Sequence, residues 1–383
     1  MKKIAYVAVA IGSYSAMSMA QAQSSVTMYG IIDESVAFTH NNGGQNALQM
    51  VGGNLQGDRW GLKGSEDLGG GLKAVFQLEN GFNPSNGKLG QGGLEFGRQA
   101  FVGMSSSNLG TLTLGRQYAP DTDLVQGITG DNYGSIFATP GDVDNYDNDV
   151  RIDNAVKYTS PVIAGLQGEV LYAFGNVAGS VGSGRAWGAA LAYTMGPVAL
   201  AGSYQYYNGG DVLSGVRTYS GAGDSIYNSI VNEGYSSASS VKIARVAGQY
   251  TIGPVVAGAS FSNSQYTADA ASTFTSTEKY NSAAVFAAYN FTPALTTAAG
   301  YSYTKSSGDS SAKYDQVSLT VDYNLSKRTD VYLCGAWQRA SGSVRAPDGT
   351  GIVDAQTSFG SYGIDGANQG TQTYTAVGIR HRF

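Results

Sequence analysis

The chain has 383 residues, and only 13% of them are charged, against the ~25% usual for water-soluble domains. Its 54 Gly are about twice the usual ~7%, and 26 Tyr and 13 Phe stand beside 8 Pro and one Cys. A lone cysteine, Cys334, excludes an intramolecular disulfide. No later run reaches the ~18 apolar residues of a membrane helix. Low charge, much Gly and many aromatics suit a chain with one face toward lipid and the other toward water.

In chain order, Lys2 and Lys3 precede an apolar stretch from Ile4 to Met19, and Ala20-Gln21-Ala22 has the small-x-small form of a signal-peptidase site. A signal peptide is expected over residues 1–22, with cleavage there or one or two residues away. Its loss leaves 21 basic against 28 acidic side chains, a formal charge of −7. Residues 23–383 then form one domain.

From there on the pattern alternates with period two. Leu72, Ala74, Phe76 and Leu78 share a face opposite Lys73, Gln77 and Glu79. Val317, Leu319, Val321 and Tyr323 oppose Ser318, Thr320 and Asp322. Sixteen such segments begin near Ser24, Gln49, Leu72, Glu95, Thr111, Arg151, Gly165, Arg185, Val198, Val241, Val255, Lys279, Leu295, Lys313, Thr329 and Gln372. Short connections such as Gly196-Pro197 and Gly253-Pro254 alternate with long ones: Ala119 to Val150, Asn208 to Ser240, and Ala340 to Thr371. The expectation is an all-β, sixteen-stranded antiparallel transmembrane barrel with short periplasmic turns and long extracellular loops. Tyr158 and Tyr323, closing apolar faces, fit an interfacial aromatic girdle.

Strand phase turns Arg59, Lys63, Arg151 and Lys157 into the lumen. The loop 119–150 carries Asp121, Asp123, Asp131, Asp142, Asp144, Asp147 and Asp149 with no Lys or Arg, so its carboxylates are solvated or face cations elsewhere. His40 and His381 lie at opposite ends of the chain and belong to no cluster with metal-ligand spacing. An enzyme reading lacks a Ser-His or Asp-His pairing. No metal and no cofactor is expected.

The segments Val26-Thr27-Met28-Tyr29-Gly30, Arg59 to Gly69 (RWGLKGSEDLG), Phe76 to Phe82 (FQLENGF), Arg98 to Gly103 (RQAFVG), Leu114 to Gln117 (LGRQ), Arg151 to Tyr158 (RIDNAVKY), Leu325 to Thr329 (LSKRT) and Val377 to Phe383 (VGIRHRF) follow one another along the chain. On these the sequence resembles the Gram-negative general porins of the Burkholderia and Neisseria type. The resemblance implies an outer-membrane diffusion channel for ions and small hydrophilic solutes, not an enzyme. It also implies a homotrimer packed through the first strands, seated in a bilayer with lipopolysaccharide and delivered by the barrel-assembly machinery; no nucleic acid is involved.

The resemblance further makes residues 119–150 the pore-constricting third loop, and places a basic cluster at Arg59, Arg98 and Arg151, with Arg116 added. Arg98 shares strand parity with Phe96, and Arg116 with Leu112 and Leu114, so an inward position requires a bulge or small outward neighbours. With Lys63 and Lys157, these arginines are expected to face Asp121, Asp123 and Asp131; Asp142 to Asp149 also have a reading as turn caps or solvated rim. Phe383 is the expected assembly signal, compatible with a place in the girdle. Two further functions stay open: a binding surface on the long loops, and a sugar-specific channel with a lumenal aromatic track from Tyr172, Tyr204, Tyr206 and Tyr301.

Overall fold

A computed structural model describes residues 24–209, 226–227, 229–360, 364–367 and 370–383. The signal segment 1–22 lies outside them. The alternating runs form sixteen wall strands. These are β1 (Ser25–Asn42), β2 in two pieces (Gln45–Gly52 and Arg59–Gly69), β3 (Leu72–Gly81), β4 (Gln99–Ser106), β5 (Gly110–Tyr118), β6 (Arg151–Thr159), β7 (Leu166–Ala173) and β8 (Ala186–Met195). The second half comprises β9 (Val198–Asn208), β10 (Ser240–Ile252), β11 (Val255–Thr267), β12 (Glu278–Asn290), β13 (Leu295–Ser307), β14 (Ser311–Asn324), β15 (Thr329–Arg345) and β16 (Gly370–Arg382). Each pairs antiparallel with its neighbours, and β16 closes on β1 from Ile31↔Arg382 to His40↔Thr373. The terminal residue finishes the seam, as Gly30 and Phe383 exchange two backbone hydrogen bonds of 3.1 Å. The Phe383 ring lies over Gly30 where a Cβ would stand, so glycine is required there.

The two faces are inverted relative to a water-soluble protein. On β14, Val317 and Leu319 are 48% and 45% exposed, while Gln316, Ser318 and Thr320 between them are buried inside the barrel. An apolar exterior around a polar interior is stable only where lipid is the outer solvent, because barrel closure satisfies every wall strand's backbone. Tyr204 and Tyr301 also point outward, at 38% and 44% exposure, and Trp187 packs at 5.4 Å from Tyr204 and 5.6 Å from Tyr206. With Tyr172, on the outward phase of β7, these rings belong to the outer surface and form no lumenal track.

Three boundaries differ from the sequence reading. The fourth strand starts at Gln99 rather than near Glu95. The second spans Gln45 to Gly69 but breaks at residues 53–58, because Asp33 on β1 accepts the Leu55 and Gln56 amides at 2.8 and 2.9 Å and draws that stretch into the lumen. The strand beginning at Thr329 runs to Arg345, where Ile352–Asp354 pairs back on it, so the last long loop begins at Ala346 rather than at Ala340.

The lumen is partly filled. Residues 119–150 fold inward as a short helix, α1 (Pro120–Leu124), followed by single 3-10 turns. A second inward segment comes from the loop after β9. Its Ile226, Val231 and Tyr235 are buried, and Tyr235 meets Phe274 edge-on at 5.0 Å. A third comes from the last loop, where Ser358 and Gln338 exchange hydrogen bonds of 2.7 and 2.9 Å. The sequence reading, which counted these loops as extracellular by length, gave no sign that the second and third also enter the barrel.

Candidate functional site

The 119–150 loop is held by its back and its tip. At the back, the guanidinium of Arg245 on β10 lies 3.7 Å from the Asp121 carboxylate and 3.6 Å from that of Asp144, and it donates to the Asp144 carbonyl at 2.5 Å. The Tyr146 ring stacks on it at 5.1 Å, and Ser262 donates to Asp144. All three charged side chains are fully buried. Two buried carboxylates need such a partner, since an unpaired buried charge costs several kcal/mol. Burial pushes the Asp121 carboxyl up to about 6, with Arg245 working against it. Nearer the tip, Gln316 and Ser318 donate to the Ile136 carbonyl at 2.7 and 2.6 Å. The Phe137 ring comes within 2.8 Å of where a Cβ on Gly300 would stand, so the wall carries glycine at that close approach. Ser135 donates its amide to the Asn54 carbonyl of the inward 53–58 stretch at 2.9 Å.

Between the front of this loop and the opposite wall runs a slot with a cavity volume of about 750 Å³. Its basic side is Arg59, Arg98 and Arg151; its acidic side is Asp123, Asp131, Asp147 and Asp149, with Asp58 beside the arginines. Tyr118 organises the basic side. Its ring sits 5.7 Å from the Arg98 guanidinium and 5.6 Å from that of Arg151, and its hydroxyl donates to Glu79 at 2.6 Å. Glu79 pairs with Arg98 at 2.9 Å and accepts from Tyr29 at 2.7 Å. Arg59 bonds the Gly57 carbonyl at 2.8 Å and forms no ion pair among the described residues. A smaller cavity of about 180 Å³, lined by Tyr133, Asp322 and Arg380, adjoins the slot across Leu55 and Asn132, which line both.

The structure thus brings Arg59, Arg98, Arg151, Asp123 and Asp131 together and leaves four other candidates apart. Asp121 faces Arg245, not the slot, because the one-turn helix α1 directs it backward. Lys63 is exposed four residues beyond Arg59 toward the periplasmic turn, 5.2 Å over the Tyr29 ring. Arg116 is buried beside a bulge whose extra residue lies on the facing strand β6, at Asp153 and Asn154, and it pairs with Asp153 at 2.6 Å instead of lining the slot. Lys157 binds Asp123 from behind and lies 3.5 Å from Glu169. Arg98 escapes its own parity conflict by preceding β4. Of the aspartates open to a cap reading, Asp142 accepts the Asp147 amide at 2.9 Å and Asp144 joins Arg245, whereas Asp147 and Asp149 line the slot.

Arg245 is the residue the sequence reading missed. It shares the inward phase of Ile243 and Ala247, opposite outward Val246, so parity alone could have flagged it. Burial also pushes the Asp58 carboxyl up to about 7, and holds Asp131 and Asp142 well above the usual carboxylate range. No cluster of three metal-ligating side chains occurs among the described residues.

A family model described as Gram-negative porin matches residues 5–343. An outer-membrane porin protein of Bordetella pertussis is 38% identical over 49% of this chain and 56% of its own length, and outer membrane porin protein 32 of Delftia acidovorans is 31% identical over 50% and 57%. The match therefore spans little more than half the length of either relative. The major outer membrane protein P.IB of Neisseria gonorrhoeae is 26% identical over 94% of this chain and 95% of its own. In architecture the chain is similar to the anion-selective porin from Comamonas acidovorans, with a TM-score of 0.72 at 23% identity over 94% of this chain and all of that one. It is also similar to the trimer form of OmpT of Vibrio cholerae, with a TM-score of 0.64 at 16% identity over 94% and 99%. A closed sixteen-stranded wall, an inward third loop and a family match along most of the sequence lead to one conclusion: this chain belongs to the Gram-negative porins of the outer membrane.

Proposed function

We propose that the chain forms a water-filled channel for passive diffusion of ions and small hydrophilic solutes, with its constriction between Arg59, Arg98 and Arg151 on one side and Asp123, Asp131, Asp147 and Asp149 on the other. The observation that carries this reading is the polar slot of about 750 Å³ with opposite charges on facing walls. Charges fixed across a narrow aqueous gap orient dipolar solutes and disfavour bulky apolar ones, and their balance sets ion preference. Here the balance favours anions. Arg59 has no ion pair among the described residues, Asp123 is engaged by Lys157, and desolvation with the nearby Asp147 charge disfavours the ionised form of half-buried Asp131. The related Comamonas porin is anion-selective, which agrees.

The channel is read as a homotrimer packed through the first strands, whose outward Val36, Phe38, Leu48 and Met50 are exposed apolar side chains. Phe383, which closes the seam on Gly30, is read as the assembly signal recognised by the insertion machinery. Tyr172, Tyr204, Tyr206 and Tyr301 lie on the outer face, so they lend no support to a sugar-specific channel. The test is planar-bilayer recording of the refolded mature chain under a salt gradient. Stepwise conductance inserting in threes, with an anion-side reversal potential, is the expected result; folded protein that does not conduct would overturn the reading.

A further inference from the structure

The smaller cavity of about 180 Å³ carries charges of both signs in contact, where the slot keeps them on facing walls. Its wall comes from the periplasmic ends of β12, β13, β14 and β16, through Asn290, Thr296, Asp322 and Arg380. Asn290 is exposed and marks the open side. Leu55 and Asn132, shared with the slot, form the other side, so a solute that passes them enters this chamber. At ~30 Å³ per water it holds about six waters, the size of a solute with roughly six or seven non-hydrogen atoms.

Polar groups with capacity to spare meet there. Arg380, 7% exposed, sets Nε on Asp330 at 3.1 Å and Nη2 on Asp322 at 3.3 Å. Its Nη1 donates to nothing among the described residues. Asp322 accepts through Oδ2, while its Oδ1 is buried without a hydrogen-bond partner. The hydroxyl of Thr320, two residues earlier on the same inward face and 3% exposed, also has none. The neighbouring charges are engaged elsewhere. Asp330 is fully buried and also takes Arg382 at 2.8 Å, and Asp33 accepts the Leu55 and Gln56 amides and the Tyr332 hydroxyl. A cluster built only to hold the wall would leave no carboxylate oxygen, hydroxyl and guanidinium nitrogen unused side by side, because buried polar groups are costly when unpaired.

We propose that this chamber is a subsite for small α-amino acids. The solute carboxylate takes Nη1 of Arg380, its ammonium takes Oδ1 of Asp322 and the Thr320 hydroxyl, and a short side chain lies on Leu55 and Ala298. An α-amino acid carries both charges on one carbon, which matches a guanidinium and a carboxylate in contact. A monoanion would face Asp322 without a partner for it, and a monocation would face Arg380. The inference rests on the diffusion-channel reading for the solute's route, whereas occupancy of the chamber is measured without conduction.

L-alanine, propionate and ethylamine would be titrated onto the refolded mature chain in detergent micelles, with binding followed by saturation-transfer NMR. Wild type is expected to bind alanine saturably and at least about tenfold more tightly than either singly charged analogue. D322N should lose that preference, and T320V, which keeps every ion pair, should weaken alanine binding about threefold. D147N/D149N, altered in the slot, should keep the alanine affinity. Equal affinity for the three solutes would overturn the proposal, as would an alanine affinity unchanged in T320V, which decides the matter alone should D322N not fold. Planar-bilayer conductance of T320V, expected to match wild type, separates the two readings. A chain that conducts without binding alanine defeats the subsite only, and one that binds alanine without conducting defeats the channel.

Discussion

Two sides of one loop use the same residue type for opposite ends. Asp121 and Asp144, at the back, are fully buried against Arg245 and Tyr146 and have no access to the slot. Asp123, Asp131, Asp147 and Asp149, at the front, line it across from Arg59, Arg98 and Arg151. At the back a carboxylate is worth its ion pair, and losing one partner strands a charge in a low dielectric. At the front it is worth its field, because it opens onto a slot filled with water and passing ions. The loop is thus anchored by one set of charges and exerts selectivity through another.

The largest expected effect separates the two sides through stability. Arg245→Ala leaves two buried carboxylates without their cation and should cost about 3–5 kcal/mol, with a noisy open-channel current as the loop loosens. R245M/D121N/D144N removes the charges together and should recover most of the melting temperature. An unchanged melting temperature in R245A would show that the back is not a clamp. Next, D147N/D149N on the front should move the reversal potential further toward anions by roughly a few-fold in permeability ratio, with far less loss of stability. If this pair instead destabilises the protein as much as R245A, the distinction between the two sides fails.

A smaller effect is expected from pH. Burial raises Asp58 from the ordinary carboxylate range to about 7, so between about pH 4 and 7 the folded chain holds a proton the unfolded chain would release. The stability so contributed is present at the acid end and is lost as pH rises through 7. In the slot the same titration adds a negative charge beside Arg59, so anion preference should be stronger at pH 5 than at pH 8; Asp131 acts in the same direction. D58N should flatten the profile, and a wild-type reversal potential independent of pH would rule out Asp58 as its source. The smallest effect is assigned to Lys63. K63Q should leave selectivity unchanged, because this side chain lies over Tyr29 outside the slot, and a clear shift would bring it back into the constriction.

Much of the wall was legible because its cause is local. Alternation along Val317 to Tyr323 requires only that neighbouring side chains point to opposite faces, and lipid on one side fixes which face is apolar. Irregular backbone was less legible. The β2 break depends on Asp33 capturing amides more than twenty residues away, and the Arg116–Asp153 pair depends on a bulge in β6 that period-two parity does not show. The division of the aspartates could not be read at all, since Asp121 and Asp123 are two residues apart and part only because both lie in α1, where residues two apart point to opposite sides. Arg245 was open to parity but is the one inward-phase charge of its strand, with nothing nearby in sequence to connect it to the loop it holds.

The central claim, that the arginine face of the slot sets passage, is tested most directly by the reversal potential of R59A/R151A beside wild type in planar bilayers under one salt gradient. The account predicts an anion-side potential for wild type that moves toward or across zero in the double variant while channels still insert and conduct. A wild-type preference left intact by removing both guanidiniums would contradict it.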